Sequence, residues 1–215
     1  MRTTVWISAF ILVSVVSAQS LPADIDKESL SRFPVIKRDQ LDDKGKKAYD
    51  VIGGGPGKLV LPTGPAAIGL YSPSVYEPLR ALNDYLLKDG TLGKPLTELA
   101  ILVASREVDE AYVWGAHEPA ALKLGISKSV IDVVKYGKDT SGVEEKEAAI
   151  IRFGRQLFRE KTITSEMFAK TVDLFGRQGI VELTTLMGYY GLNHFLLKMA
   201  DQHLPADRQG LLPPR

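Results

Sequence analysis

LTELAILVASREVDEAYVWGAHEPAALKLGIS, residues 96–127, decides how this chain folds. Leu96, Leu99, Ala100, Leu102 and Val103 recur at helical spacing. Pro95 sits just ahead of them, where the first turn of a helix tolerates a missing N–H. A second helical stretch runs from about Asp109 to His117, around an interruption at Pro119. Ser127 is a good N-cap for a third helix, with Ile126 and Ile131 placed as a hydrophobic staple and Gly137 at the stop.

Outward from this core the pattern stays helical. Leu41 to Ile52 reads as a short helix, ended by the glycine run 53–57. That run lacks the phosphate-loop spacing and follows no strand, so it reads as a connector. Pro65 to Leu70 and Ser74 to Leu87 follow, the latter with Val75, Leu79, Leu82 and Leu86 on its apolar stripe. Ser141-Gly-Val-Glu144 forms a capping-box pattern before a helix through about Phe158, striped by Ala148, Ile151, Leu157 and Phe158. Thr164 or Ser165 caps another helix, closed by Gly176, and a last one covers roughly Ile180 to Met199. No alternating strand pattern stands out. The expectation is an all-α single domain of about seven helices. It occupies residues 61–205, after a lead-in over 19–60 with one short helix and before a loose tail over 206–215.

The first 18 residues read as a separate object. Arg2 precedes the apolar run Val5–Val16, and Val16-Ser17-Ala18 offers small residues for cleavage before Gln19. This is a secretory signal pattern, and at 12 residues the run is too short for an ordinary membrane span. An uncleaved anchor is the other reading. The expectation is export to a periplasmic or secreted location, with no stable membrane span after processing. Removing residues 1–18 takes one Arg and no acid, which changes the formal charge from +1 to 0. No basic stripe is present, so nucleic acid is not an expected partner. There is no cysteine, so neither disulfides nor thiol chemistry is available.

The residues that carry chemistry cluster in the opening stretch. Glu110, Val113, Trp114 and His117 share one side of a helix by spacing, and Glu98 lies on the helix before it. An imidazole titrates near neutrality, and a carboxylate partner fixes its tautomer, so such a pair can act as general acid or base. Each also has a plainer reading: His117 as a structural histidine beside a core tryptophan, Glu110 as a solvated carboxylate. A second cluster is Met187-Gly-Tyr-Tyr-Gly-Leu-Asn-His194, where Tyr190 and His194 can share a cavity or an interface. Its glycines equally suit close helix packing. The three histidines, His117, His194 and His203, have no metal-site spacing, and no Gly-x-Ser-x-Gly elbow is present. Neither a metal nor a cofactor is expected.

The Glu98 helix, Trp114-x-x-His117, Leu124-Gly-Ile-Ser127, Gly64-Pro65 with Leu70-Tyr-Ser-Pro73, and Gly188-Tyr-Tyr190 together resemble the carboxymuconolactone decarboxylase and alkylhydroperoxidase D-like superfamily, in a cysteine-free branch. The resemblance covers roughly residues 65–205. The peroxidase branch has a Glu followed by Cys at +12, Cys at +15 and His at +19; here those positions hold Glu98, Glu110, Val113 and His117. The Glu182-Leu-Thr-Thr-Leu segment weakly echoes Glu98-Leu-Ala-Ile-Leu, in line with the superfamily's internal helical similarity.

The resemblance implies that Glu98 and His117 converge in the fold. It also implies a homo-oligomer, trimeric or hexameric. One implied function is a cofactor-independent lyase that decarboxylates a small unsaturated lactone or keto acid. His117, Glu98 and Glu110 would then do acid–base work, and Trp114, Tyr112, Tyr190, Val113 and His194 would hold the substrate. The alternative is a non-catalytic exported helical oligomer that binds small aromatic or apolar ligands. Thiol peroxidase activity is disfavoured because the chain has no cysteine.

Overall fold

The computed structural model describes residues 21–61, 63–208 and 210–214, so the proposed signal segment lies outside the described residues. Eight α-helices occur among these: α1 (Asp43–Gly53), α2 (Pro65–Gly69), α3 (Pro73–Lys88), α4 (Lys94–Glu107), α5 (Ala111–Lys123), α6 (Lys128–Lys135), α7 (Glu145–Arg155) and α8 (Ser165–Met199). No strand is present among the described residues, only an isolated bridge between Asp26 and Ser31.

α4 is the axis of the molecule and packs against α5, α6, α7 and α8. Its residues Leu99 to Arg106 are all buried, so this helix is covered on every side rather than along one stripe. Leu99, Ile101, Leu102 and Val103 are essentially inaccessible, each worth about 1.5–3 kcal/mol of burial. Gly154 of α7 lets that helix come close. A Cβ built there would lie 2.4 Å from Val103 Cγ1 and 2.9 Å from Met187 Cε. A smaller cluster of Tyr49, Ile52, Leu70 and Tyr76 joins α1 to α3.

The helix ends follow local chemistry. Asp42 Oδ1 accepts from Gly45 N at 2.7 Å, and α1 stops at Gly54 in the left-handed region. Ser127 Oγ accepts from Val130 N and Thr164 Oγ1 from Met167 N, so both predicted caps form. Gly176, at φ 72° and ψ 174°, breaks α8 into two segments, as the sequence implies. Pro119 does not interrupt α5; the helix runs through it and forfeits one backbone bond.

The predicted capping box at Ser141 does not form. Ser141 N instead donates to Asp139 Oδ1 at 2.8 Å, Val143 N closes a turn onto Thr140 O, and Glu144 becomes the N-cap of α7. That helix then passes into a π-helical turn over Gln156–Glu160.

The lead-in and the tail are both docked. Arg32 N donates to Ala200 O and His203 N to Leu30 O, each at 2.8 Å. Gln202 Nε2 donates to Ser29 O at 2.9 Å, while its Oε1 accepts from Gly64 N at 2.9 Å. Leu211 and Leu212 pack on the core, and Pro213 O accepts from Arg106 Nη1 at 2.7 Å.

Candidate active site

The turn between α4 and α5 is held by Asp109 at φ 52°, and it folds α5 back along α4. This brings Glu98 and His117, 19 residues apart, within 2.7 Å between Oε2 and Nδ1. Both side chains are mostly buried, at 14% and 20% exposure. With Nδ1 engaged by the carboxylate, Nε2 is the ring nitrogen left for other partners. The Tyr190 ring meets His117 edge-on, with 5.2 Å between centroids.

His117 stands in the wall of a cavity of about 450 Å³, within the range of small-molecule sites. α5 contributes Tyr112, Val113, Ala116 and His117, and α8 contributes Tyr189, Tyr190 and Asn193. α3 adds Tyr76, Arg80 and Asn83, and Arg208 enters from the tail. Among the described residues, two guanidinium groups and one imidazole line this space, and no Asp or Glu does. Arg80 Nη1 donates to Ile52 O at 3.2 Å, and its Nε lies 3.0 Å from Asp84 Oδ1. Tyr112 OH and Thr63 Oγ1 share a hydrogen bond of 2.7 Å.

Three of the cavity phenols, Tyr76, Tyr112 and Tyr190, are held neutral. Burial pushes Tyr190 well above the usual tyrosine range, and neighbouring Tyr189 and Glu98 push the same way. Burial also raises Tyr76 and Tyr112, the latter against an opposing hydrogen bond from Thr63. Near neutrality these groups are hydroxyl donors rather than phenolates.

The sequence candidates divide. His117, Tyr112, Val113 and Tyr190 line the cavity, and Glu98 stands directly behind His117. Glu110, Trp114 and His194 are not in the lining. Glu110 is the buried N-cap of α5; its Oε1 accepts from Tyr112 N at 3.1 Å and its Oε2 meets His194 Nδ1 at 2.9 Å. Trp114 is fully buried, and its Nε1 donates to Glu118 Oε2 at 2.7 Å, a carboxylate that also accepts from Lys135 Nζ at 2.6 Å. The single helix face expected for Glu110, Val113, Trp114 and His117 is thus two rows. Val113 and His117 form one row, Trp114 and Glu118 the next, about 100° apart around the helix.

Sequence reading missed Tyr76, Arg80, Asn83, Tyr189, Asn193 and Arg208. A signal existed: Tyr76, Arg80 and Asn83 are i, i+4 and i+7 on α3. The apolar stripe that starts at Val75 passes beside this row, and Val75 is 61% exposed. Among the described residues, no group of three or more His, Asp or Glu side chains gathers to hold a metal ion.

No protein-family model matches the chain, and no curated protein matches it. Solved structures do. A cysteine-to-alanine variant of the debrominase Bmp8, in complex with 2,3,4-tribromopyrrole, superposes with a TM-score of 0.65 at 13% identity, covering 84% of this chain and 94% of that one. An uncharacterized peroxidase-related protein from Silicibacter sp. TM1040 gives a TM-score of 0.65 at 14% identity, covering 88% and 98%. ATU0492 from Agrobacterium tumefaciens, a protein of unknown function described as a putative antioxidant defence protein AhpD, gives 0.58 at 18% identity, covering 64% and 95%. The chain therefore has the all-helical fold of the alkylhydroperoxidase AhpD-like proteins, built here without a cysteine.

Proposed function

We propose that this chain is a cofactor-independent lyase of the carboxymuconolactone decarboxylase type, acting on a small unsaturated lactone or keto acid. The observation that carries the reading is the 2.7 Å Glu98–His117 pair at the wall of a cavity lined by two arginines and, among the described residues, no carboxylate. Arg80 and Arg208 draw an anionic substrate in. The bond from the carboxylate to its neighbouring carbon breaks, CO₂ departs, and the electron pair passes into the conjugated carbonyl oxygen. Neutral tyrosine hydroxyls such as Tyr190 donate to that oxyanion. His117 Nε2 delivers a proton to carbon, while Glu98 orients the ring through Nδ1. Tyr112 and Val113 shape the wall. Glu110, engaged by His194, positions the start of α5.

The test is CO₂ release from γ-carboxymuconolactone or a related acid. His117→Ala should lower the rate about 10²-fold or more, and Glu98→Gln should lower it less. Equal rates for wild type and His117→Ala would remove His117 from the mechanism.

A second reading is a non-catalytic carrier of small aromatic or apolar molecules. The tyrosines around the cavity favour it, as does the small aromatic ligand of the Bmp8 complex. Saturable binding with no turnover, unchanged by His117→Ala, would select it.

Both readings place the protein outside the cytoplasm, directed by residues 1–18, and sequencing of the mature N-terminus should begin at Gln19. Both also take it as a homo-oligomer, trimeric or hexameric. Support comes from α8, which exposes Val181, Leu192, Phe195 and Met199 along one face. Sedimentation velocity would expose a monomer.

A further inference from the structure

Two amides of the cavity have no role in the lyase chemistry above. Asn83 of α3 and Asn193 of α8 both line it, and the Oδ1 of each is sealed from solvent without a hydrogen-bond partner. Asn193 is 4% exposed as a residue. Buried carbonyl oxygens are almost always paired, so two orphans on one cavity need an explanation. Terminal amide torsions are soft and two-fold, so each oxygen can swing toward a donor entering the cavity. Asn83 lies one helical turn beyond Arg80, on the same face of α3. Asn193 lies one turn beyond Tyr190 on α8. The acceptors therefore stand beside the cation and beside the aromatic wall.

Resting on the reading of this cavity as an acid site, we infer that its ligand is a flat conjugated anion that carries its own hydrogen-bond donor. That donor is a ring N–H or an enolic or phenolic O–H close to the anionic group. Arg80 holds the anion, the amide oxygens of Asn193 and Asn83 share the donor's one hydrogen in a three-centre bond, and the tyrosine rings pack the flat faces. An acid of the same shape without the donor leaves both oxygens unpaired and binds more weakly.

Three probes separate the claims by isothermal titration calorimetry with the full chain. Indole-2-carboxylate has the N–H and the charge. Benzofuran-2-carboxylate keeps shape and charge but replaces N–H by oxygen. 2-Methylindole keeps the N–H without the charge. Wild type should bind indole-2-carboxylate about tenfold or more tightly than benzofuran-2-carboxylate. In Asn193→Leu that preference should fall to about twofold or less.

Equal affinity of the two acids for wild type, both exceeding 2-methylindole, overturns the donor requirement and leaves the acid reading standing. Binding of 2-methylindole as tight as that of indole-2-carboxylate, and dependent on Asn193, sustains the donor requirement and sinks the acid reading. If no probe binds, both fall. Should Asn193→Leu not fold, Asn83→Leu decides: a reduced preference supports the inference, and an unchanged one overturns it.

Discussion

Replacing Glu182 with glutamine should destabilise the protein in a pH-dependent way. Glu182 is buried on α8 and accepts four hydrogen bonds. Thr91 N and Thr91 Oγ1 reach Oε2 at 2.7 and 2.6 Å, and Tyr85 OH and Gln178 Nε2 reach Oε1 at 2.7 and 2.8 Å. It thereby ties α8 to the end of α3 and to the connection into α4. Burial alone would raise this carboxyl, but the donors from Thr91, Gln178 and Tyr85 outweigh it and bring the pKa from 4.5 to about 2. At about 1.4 kcal/mol per unit, that shift corresponds to at most about 3 kcal/mol. Solvent near the helix surface reduces it to about 1–2 kcal/mol.

The folded-state pKa is depressed, so this stability is fully present above 4.5 and is lost as the pH falls toward about 2. Glutamine keeps the volume, but its NH₂ confronts donors that need an acceptor. Urea denaturation of wild type and Glu182→Gln should differ by about 2 kcal/mol at pH 7, and by less than half of that near pH 3. A gap that is constant across this range, or that widens in acid, would refute the argument.

Three further outcomes follow from the packing. Ser127→Ala should cost about 1 kcal/mol in the same assay, whereas Ser141→Ala, whose hydroxyl caps no helix, should cost less than about 0.5. Gly154→Ala should cost about 1–3 kcal/mol by driving a Cβ into Val103, and adding Val103→Ala should recover part of that loss; an additive double mutant would count against the contact. Gly69→Ala should weaken ligand binding along with stability, because its Cβ would lie 2.2 Å from the Tyr76 ring, which lines the cavity; calorimetry with unaltered affinity would show that Tyr76 is not held there.

What was legible in the sequence was local. Ser127 and Thr164 could be read as caps because the cap bond closes within one turn and a glycine stop follows within about three. Ser141 shows the limit of the same signal. A Ser-x-x-Glu pattern also suits a tight turn, and Asp139 supplied a nearer acceptor. The docking of the lead-in was invisible, since its bonds to Ala200 and Gln202 are backbone and amide contacts that leave no periodicity. The Glu98–His117 contact needed tertiary packing. Two residues 19 apart in sequence, on successive helices, meet because the chain turns back at Asp109, and it is the resemblance, not the spacing, that implies it. Arg80 and Asn83 were hidden because polar residues beside an apolar stripe read as its solvent edge, and only a cavity makes them a lining.

Val113 and Glu110 occupy the two positions where the sequence resemblance would put sulfur. Val113 offers the cavity only an apolar surface. Glu110 carries a carboxylate, but one oxygen accepts from Tyr112 N and the other meets His194, so it faces away from the lining. A carboxylate there also caps the N-terminal end of α5. Glu110 thus caps and anchors the helix that bears His117. A site with one carboxylate-backed imidazole, neutral phenols and two arginines is equipped to move a proton on an anion, and it has no thiol. Glu110→Gln should therefore lower stability and loosen the placement of His117, and His117→Ala should lower turnover without unfolding the chain. If Glu110→Gln abolished turnover at unchanged stability and His117→Ala did not, the roles assigned to the two residues would have to be exchanged.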